Sequence, residues 1–310
     1  MSSAIKLIAL LHRGIIGSLK CLPATTGAWL VMKYNFILAH NFLARPGRPT
    51  GRLYKAPTYF GATMECSTGD FIQMRILHFG VWEPDVSHVI ARMLRPGDTF
   101  VDVGANIGYH TLLASKAVGP GGSVVAIEAL PATYQTLSRH VRANEAGNVR
   151  CANVAVAAEP GQLTLYMVEK HNVGAASTLA SRGAYAEATV DALPLDQILT
   201  EQERSRVRLI KMDIEGAEPP VLRRLLDTLD LYPRDMAVIV ELAPEDDPAA
   251  SRELYDRLRS AEFDAFAVEN SYRLEWYLKW RTPTPLRKLD DMPEEQTDIL
   301  FNCGMPFEET

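Results

Sequence analysis

Cysteine is scarce in this sequence and long uncharged hydrophobic runs are absent, and each shortage excludes a class of protein. The 310 residues include four cysteines that stand singly: Cys21, Cys66, Cys151 and Cys303. Without a Cys-x-x-Cys pair, the chain has neither the spacing of a zinc site nor that of a disulfide framework, and a reducing compartment is the simpler interpretation. The longest uncharged apolar run, about residues 21–32, is well short of the roughly 20 residues that span a bilayer. We therefore predict a cytoplasmic protein without a transmembrane helix.

Acidic residues are absent before Glu65, although eight lysines and arginines lie there. Since the whole chain has a net charge of −6, the part that follows carries −14 and would be repelled by a phosphate backbone. We therefore expect no nucleic-acid partner. In residues 1–50, Lys6, Arg13 and Lys20 recur every seven positions opposite an apolar stripe, which predicts a basic amphipathic helical extension. Such a helix contacts an anionic membrane surface or packs on the main domain as a lid, and the sequence leaves both open.

Residues 52–82 show the alternation of a strand pair. Apolar and polar side chains alternate over 59–66 and again over 71–77, and turn residues around Gly69 separate the two runs. This pattern predicts a β-hairpin that precedes the main sheet.

From residue 99 onward, short apolar runs alternate with helical patterns. The runs at 99–103, 123–127, 149–156, 208–212 and 237–240 are typical of buried parallel strands. Helical patterns such as those at 131–144 and 219–229 separate most of them. This alternation predicts a Rossmann-like α/β domain over residues 51–310, with a mostly parallel, doubly wound sheet. The runs at 263–268 and 297–302 predict an antiparallel pair at the C-terminal edge of that sheet.

A glycine turn follows the first of these predicted strands. Gly104 and Gly108 have a Gly-x-x-x-Gly spacing preceded by Asp102, and glycine lets a ligand approach the backbone closely. The spacing differs from the Gly-x-Gly-x-x-Gly that places helix amides on a pyrophosphate, which favours a ligand without phosphate, such as S-adenosylmethionine. Asp102 suits the ammonium of its methionine end. Glu128, 24 residues after Gly104, is placed to accept hydrogen bonds from both ribose hydroxyls.

A third group of carboxylates follows the apolar run at 208–212. Asp213 and Glu215 come after this run, and Glu241 closes the next one. If the run at 208–212 neighbours the one at 99–103, Asp102 and Asp213 face one cleft at the topological switch point, where open α/β sheets bind ligands. Asp213 and Glu215 are therefore candidate catalytic residues, as a base or as ligands of a divalent ion, and Glu241 is a third candidate catalytic residue because it is equivalently placed. Capping of the next helix by Asp213 or Glu215 is the structural alternative.

Together these pieces resemble the FkbM family of methyltransferases over roughly residues 70–245. The matching segments are Trp82-Glu83-Pro84, 102–108, Ile127-Glu128, Leu195-Asp196, 211–218 and Val240-Glu241. The resemblance implies the class I methyltransferase fold and methyl transfer from S-adenosylmethionine to a hydroxyl on a sugar, glycolipid or polyketide. Carried over, it implies cofactor contacts at Asp102, Gly104, Asn106, Gly108 and Glu128, with Asp213 and Glu215 lining the reaction cleft. Glu83, Ala105 and Asn153 are further candidate cofactor contacts.

Two other functions compete with this interpretation. One is a nicotinamide-dependent oxidoreductase on the same type of sheet, and the other is a non-enzymatic module that docks on membrane surfaces through residues 1–50. The partner that we predict is a small-molecule, glycan-linked or lipid-linked hydroxyl acceptor. His110 and His171 are additional candidate bases, and the residues assign no metal site.

Overall fold

The computed structural model describes residues 53–67, 69–167, 176–177, 185–245 and 247–303. The predicted basic extension over 1–50 and the candidate base His171 lie outside the described residues. Those that are described belong to two units, the first formed by residues up to Pro84 with Ser271–Pro283 and the second by Asp85–Asn270 with the residues from Thr284 onward. Within the described ranges, no helix combines the length and the hydropathy that crossing a membrane requires.

The first unit begins with a β-hairpin. Strand β1 (Leu53–Pro57) pairs antiparallel with β2 (Thr63–Ser67). In the turn that joins them, the Thr58 hydroxyl accepts a hydrogen bond from the Ala62 N–H at 2.9 Å. Helix α1 (Phe71–Phe79) follows.

The predicted second hairpin strand at 71–77 is wrong, because these residues form helix α1. The Asp70 side chain accepts a hydrogen bond from the Gln73 N–H, and Gly80 ends the helix in the left-handed conformation, so both ends carry the usual capping residues. Gln73, Ile76 and Phe79 are buried. Their spacing of three is the helical period, which the apparent alternation of a strand obscured. The hairpin turn therefore lies at 58–62 and not at Gly69.

The second unit is built on an eight-stranded sheet. Its strands are β3 (Thr99–Val103), β4 (Ser123–Ile127), β5 (Val149–Ala152), β10 (Val207–Met212), β11 (Ala237–Leu242), β12 (Asp264–Val268), β13 (Arg287–Lys288) and β14 (Thr297–Asn302). They lie in the order β13-β12-β14-β11-β10-β3-β4-β5. The neighbours from β11 to β5 all pair in parallel, which confirms the predicted mostly parallel α/β sheet.

Strand β14 pairs antiparallel with both β11 and β12. The predicted antiparallel pair therefore exists, but β14 lies between β11 and β12 and not at the outer edge. The predicted strand at 149–156 is divided into β5 and β6 (Ala155–Val156). Strand β6 belongs to a second sheet with β7 (Gly161–Met167), β8 (Ala176–Ser177) and β9 (Tyr185–Leu193), in the order β6-β9-β7-β8.

Helices connect these strands. Their bounds are α2 (Pro84–Met93), α3 (Tyr109–Val118), α4 (Pro131–Ala143), α5 (Leu195–Ile198), α6 (Glu201–Arg204), α7 (Glu218–Asp227), α8 (Pro248–Ser260) and α9 (Leu274–Leu278), with a short 3-10 helix at Leu229–Leu231. The largest core cluster contains alternate residues of the central strands, such as Val101, Ile210, Val238 and Phe301, together with side chains of α7 and α8. Because side chains alternate across a sheet, this packing turns Asp102, Lys211 and Ile239 to the other face.

Candidate active site

Acidic side chains form a row across the carboxyl edge of the main sheet. Asp102 is in register with Ala126 and with Lys211, and Lys211 is in register with Ile239. Two positions further along these four strands come Glu128, Gly104, Asp213 and Glu241. On the reversed strand β14, Asp298 is the direct partner of Glu241. Since neighbouring strands lie about 4.8 Å apart, we call Glu128, Asp213, Glu241 and Asp298 the acidic row.

Gly104, directly after β3, lies between Glu128 and Asp213 of the acidic row and has no side chain. Its φ is +79°, and a Cβ there would lie 1.9 Å from the backbone oxygen of Asp213. The Asp213 N–H in turn donates to the Val103 oxygen at 3.1 Å. Glycine is therefore required by the close approach of the Asp213 backbone, a reason that the sequence did not reveal. At Gly108, where φ is +90°, a Cβ would lie 2.6 Å from Leu137 Cδ1.

Glu128 ties the glycine turn to the loop after β4. Its Oε2 accepts a hydrogen bond from the Asn106 N–H at 2.9 Å, and its Oε1 accepts one from the Leu130 N–H at 2.9 Å. Burial raises the pKa of Glu128 to about 7, although these two hydrogen bonds oppose the rise. A carboxylate oxygen can accept more than one hydrogen bond, so both oxygens keep capacity for hydroxyl donors.

Asp102 is fully buried and incompletely paired. Its Oδ2 accepts a hydrogen bond from the Thr111 hydroxyl at 2.6 Å, whereas its Oδ1 has no hydrogen-bond partner among the described residues. Burial raises the pKa of Asp102, and Lys211 and Thr111 oppose that rise. A buried carboxylate oxygen without a partner is costly, so Oδ1 lacks a hydrogen-bond donor that its burial calls for. Sequence reasoning missed Thr111, because only the packing of the first turn of α3 against β3 brings its hydroxyl to Asp102.

Asp213 is held by an ion pair at the end of β10. Lys211 Nζ lies 2.9 Å from Asp213 Oδ2, and the lysine side chain is only 6% exposed. Glu215 follows with a left-handed φ of +56°, and Glu218 Oε1 accepts from the Ile214 N–H at 2.7 Å. Helix α7 has Ala217 at its N-cap. The alternative that Asp213 or Glu215 caps this helix is therefore wrong.

Glu241 lies among other acidic groups. Burial raises its pKa to about 8, and the negative charges of Asp213, Asp298 and Glu218 add to that rise. Asn270 Nδ2 donates to Asp298 Oδ2 at 2.7 Å. Sequence reasoning missed both residues, because only the register of β14 against β11 brings Asp298 to Glu241, and only the pairing of β14 with β12 brings Asn270 to Asp298.

The other predicted residues have identifiable contacts. Asn153 is exposed, and its Nδ2 donates to the Glu128 and Ala129 backbone oxygens at 2.8 and 2.9 Å. Ala105 is buried, and its N–H donates to the Ile127 oxygen at 2.9 Å. Glu83 belongs to the first unit, where it is buried and accepts a hydrogen bond from the Tyr272 hydroxyl at 3.4 Å. The cofactor contacts assigned to Asn153, Ala105 and Glu83 stay predictions.

Two further expectations concern histidine and metal. Burial lowers the pKa of His110 well below its usual value, and its Nε2 lies 3.3 Å from Ser87 Oγ inside the unit. A solvent-shielded imidazole on Ser87 is poorly placed to act as a base. In the described ranges, no group of three or more His, Cys, Asp or Glu side chains is arranged to hold a metal ion.

The chain resembles several known proteins. Residues 102–265 match the family model described as the methyltransferase FkbM domain. The chain is 33% identical over 151 residues to Methyltransferase 1 of Beauveria bassiana (strain ARSEF 2860), which is 43% of this chain and 60% of that protein. It is 31% identical over 204 residues to 31-O-demethyl-FK506 methyltransferase FkbM of Streptomyces tacrolimicus, which is 57% of this chain and 76% of that protein.

Solved structures resemble the chain more distantly. TYW2 of M. jannaschii in complex with AdoMet matches with a TM-score of 0.44 and 12% identity, covering 83% of this chain and 87% of that one. A SAM-dependent O-methyltransferase from Thermotoga maritima matches with a TM-score of 0.39 and 14% identity, covering 84% and 80%. Similarity at this level says nothing about function.

Proposed function

The chain belongs to the FkbM methyltransferase family, and from this premise we propose that it transfers a methyl group from S-adenosylmethionine to a hydroxyl oxygen of a small-molecule, glycan-linked or lipid-linked acceptor. Methyltransferase activity, the class I fold and S-adenosylmethionine as cofactor follow from the family. Membership of a methyltransferase family argues against the two alternatives, a nicotinamide-dependent oxidoreductase and a non-enzymatic module that docks on membrane surfaces. The oxygen acceptor is supported by the name of the Streptomyces relative, which places its reaction on 31-O-demethyl-FK506.

The unpaired Asp102 Oδ1 is the observation that carries the donor site. It is a buried acceptor without a donor among the described residues, and an ammonium group such as that of the methionine end would satisfy it. Glu128 has both oxygens fixed by backbone N–H groups, so it is preorganised to accept the ribose hydroxyls. We therefore assign Asp102 and Glu128 to the donor, with the glycine turn between them.

When bound, S-adenosylmethionine supplies a methyl carbon that a hydroxyl oxygen of the acceptor attacks. The O–C bond forms as the C–S bond breaks, and the electron pair of the broken bond stays on sulfur. The hydroxyl proton passes to a base. Positioning of the two reactants supplies much of the acceleration of such a displacement. A general base is most effective when its pKa lies near the working pH. Glu241, whose pKa is about 8, meets that condition.

The three candidate catalytic carboxylates therefore receive different roles. Glu241 accepts the hydroxyl proton. Asp213, paired with Lys211 at 2.9 Å, orients the acceptor by accepting a hydrogen bond. Glu215 lies on the loop outside the acidic row, and we assign it an acceptor contact. The donor thus lies toward β4 and the acceptor toward β14.

Calorimetric titration with S-adenosylhomocysteine tests the donor site. We expect Asp102→Asn and Glu128→Gln to weaken binding at least about tenfold, because each loses a hydrogen bond to a charged group. Glu241→Gln and the exposed control Asp290→Asn should bind as the unmodified chain does. Equal binding in all four folded variants would contradict the donor site.

Turnover tests the base. The assay supplies methyl-labelled S-adenosylmethionine together with a panel of glycosides, glycolipids and polyketides. We expect the label to be transferred to form a methyl ether, which base hydrolysis does not cleave. For any acceptor found, Glu241→Gln should lower kcat by about 10²–10⁴ without changing donor affinity. A variant with undiminished kcat would reject Glu241 as the base.

A further inference from the structure

Glu241 and Asp298 are direct partners across two antiparallel strands. Glu241 lies near the end of β11 and Asp298 near the start of β14, and they share one register position. Side chains at such positions have Cβ atoms about 5 Å apart, and like charges placed there destabilise the strand pair. This arrangement of two carboxylates therefore needs compensation.

Asn270 provides one compensating contact. It follows β12, and its Nδ2 donates to Asp298 Oδ2 at 2.7 Å. A carboxylate accepts hydrogen bonds, so the hydrogen-bond network assigns the NH₂ end of the amide to Asp298. The Oδ1 of Asn270 is buried without a hydrogen-bond partner in the described part of the chain. The amide is therefore oriented for Asp298, while its own carbonyl is left unsatisfied.

The charges around the pair are mostly negative. Asp213, after β10, and Glu218, on α7, act on Glu241 along with Asp298, and Gln296 forms a hydrogen bond with it. Lys211 is the cation that acts on Asp298, and it is 2.9 Å from Asp213. A proton held between Glu241 and Asp298 relieves their repulsion, as in other carboxylate pairs that share a site.

We propose that Asp298, held by Asn270, is a positioning residue that shares a proton with Glu241 and thereby makes the Glu241 carboxylate a stronger base toward the acceptor hydroxyl. The hydroxyl proton passes to ionised Glu241 as the O–C bond forms, and the resulting carboxyl group donates a hydrogen bond to ionised Asp298 before the proton leaves to solvent. The role of Glu241 as the base rests on the proposed function. The proton sharing itself does not.

Carbon-detected NMR titration of the full-length protein, labelled with ¹³C at the glutamate carboxyl carbon, tests this pair directly. The Glu241 signal is assigned by its absence in Glu241→Gln. We expect an apparent pKa of about 8, and Asp298→Asn should lower it by about one unit because the like charge is removed. The control Asp290→Asn removes an exposed carboxylate and should leave the titration unchanged. An unchanged Glu241 titration in Asp298→Asn overturns the proposal.

Asn270→Ala provides a second test that keeps both carboxyl groups. Without the amide donor, Asp298 holds its proton to higher pH, so it repels the Glu241 charge less and the apparent pKa of Glu241 falls. An unshifted titration in this variant counts against the proposal even if Asp298→Asn does not fold.

S-adenosylhomocysteine affinity on the same samples separates this inference from the proposed function, since neither Glu241 nor Asp298 is assigned to the donor. A shifted titration without donor binding supports the pair and contradicts the donor site. An unshifted titration with normal donor binding contradicts the pair and supports the donor site.

Discussion

At the residue scale, two stretches of backbone approach each other closely in the candidate site. The Cβ of any other residue at position 104 would lie 1.9 Å from the Asp213 oxygen, and φ there is +79°. No side chain can rotate away from such a contact, because a Cβ is fixed to the backbone. Gly104 therefore allows the loop after β10 to pass against the end of β3.

Gly104→Ala should consequently be severely destabilising. We expect the free energy of unfolding to fall by about 3 kcal/mol or more, from backbone strain together with displacement of the Asp213 loop. Urea unfolding followed by circular dichroism measures this change. The matched control is Gly121→Ala, where an added Cβ meets nothing within 4 Å and a change below about 1 kcal/mol is expected. Similar stability of the two variants would show that the Asp213 loop yields easily.

Sequence position identified the acidic residues at strand ends but not the groups that hold them. Glu128, Asp213 and Glu241 follow apolar runs and Asp102 lies near the end of one, so their placement toward one edge of the sheet could be predicted. Thr111, which donates to Asp102 at 2.6 Å, belongs to a helix, where a threonine carries no signal of such a bond. The residues that hold these carboxylates thus belong to other helices and strands, and only tertiary packing brings them into contact.

At the element scale, α1 shows why local pattern alone misassigned one segment. Phe71, Ile72, Met74, Ile76 and Leu77 satisfy a strand pattern nearly as well as a helical one. The capping residues at both ends, Asp70 and Gly80, decide between them.

Asp70→Ala should destabilise the first unit by about 1 kcal/mol, because it removes the side-chain acceptor for the Gln73 N–H at 2.8 Å. Asp70→Asn keeps an acceptor and should stay within about 0.5 kcal/mol of the unmodified chain. Urea unfolding monitored by tryptophan fluorescence reports on this unit, since Trp82 and Trp280 belong to it. Equal midpoints for the two variants would contradict the assigned cap.

Helix α7 carries a buried acid in its first turn. Burial raises the pKa of Glu218 from 4.5 to about 7. Because the pKa of Glu218 is higher in the folded than in the unfolded state, its protonated form stabilises the fold. This contribution is fully present below the unfolded pKa and is lost as pH rises through the folded pKa.

Glu218→Gln should therefore remove part of the pH dependence of stability. Between pH 5 and pH 8, the free energy of unfolding of the variant should rise relative to the unmodified chain by about 3 kcal/mol, because the amide can still accept from the Ile214 N–H and does not ionise. Urea unfolding at several pH values measures the difference. Glu201→Gln changes an exposed residue in the first turn of α6 and should give a curve parallel to that of the unmodified chain. If the curve of Glu218→Gln also ran parallel to that of the unmodified chain, the Glu218 carboxyl group would not be the cause of the loss of stability with rising pH.

At the scale of the whole molecule, charge is divided along the sequence. The chain before Glu65 has eight basic and no acidic residues, whereas the remainder carries −14. A net charge of this kind governs association with charged surfaces and not the fold. The basic stripe formed by Lys6, Arg13 and Lys20 is thus a hypothesis about membrane contact, which the fold of the described residues does not address.

Vesicle co-sedimentation tests that hypothesis. In the full-length protein, changing Lys6, Arg13 and Lys20 together to Gln should weaken binding to phosphatidylserine vesicles roughly 100-fold at low salt, since each basic residue near an anionic surface contributes about 1 kcal/mol. Changing Lys116, Arg234 and Lys279 to Gln removes the same charge elsewhere and should have little effect. Equal losses in both triple variants would exclude a specific role for the stripe.

The sequence by itself determined the alternation of strands and helices in the main sheet, the fold class and the carboxylates near the ends of the central strands. These features depend on hydrophobic periodicity, turn residues and spacing, all of which act between residues close in the chain. The tertiary structure alone decided that β14 lies between β11 and β12, and hence that Asp298 meets Glu241 on one side and Asn270 on the other. The physical reason is that backbone hydrogen bonding is the same for any two strands, so partner and register are selected by the packing of side chains far apart in sequence.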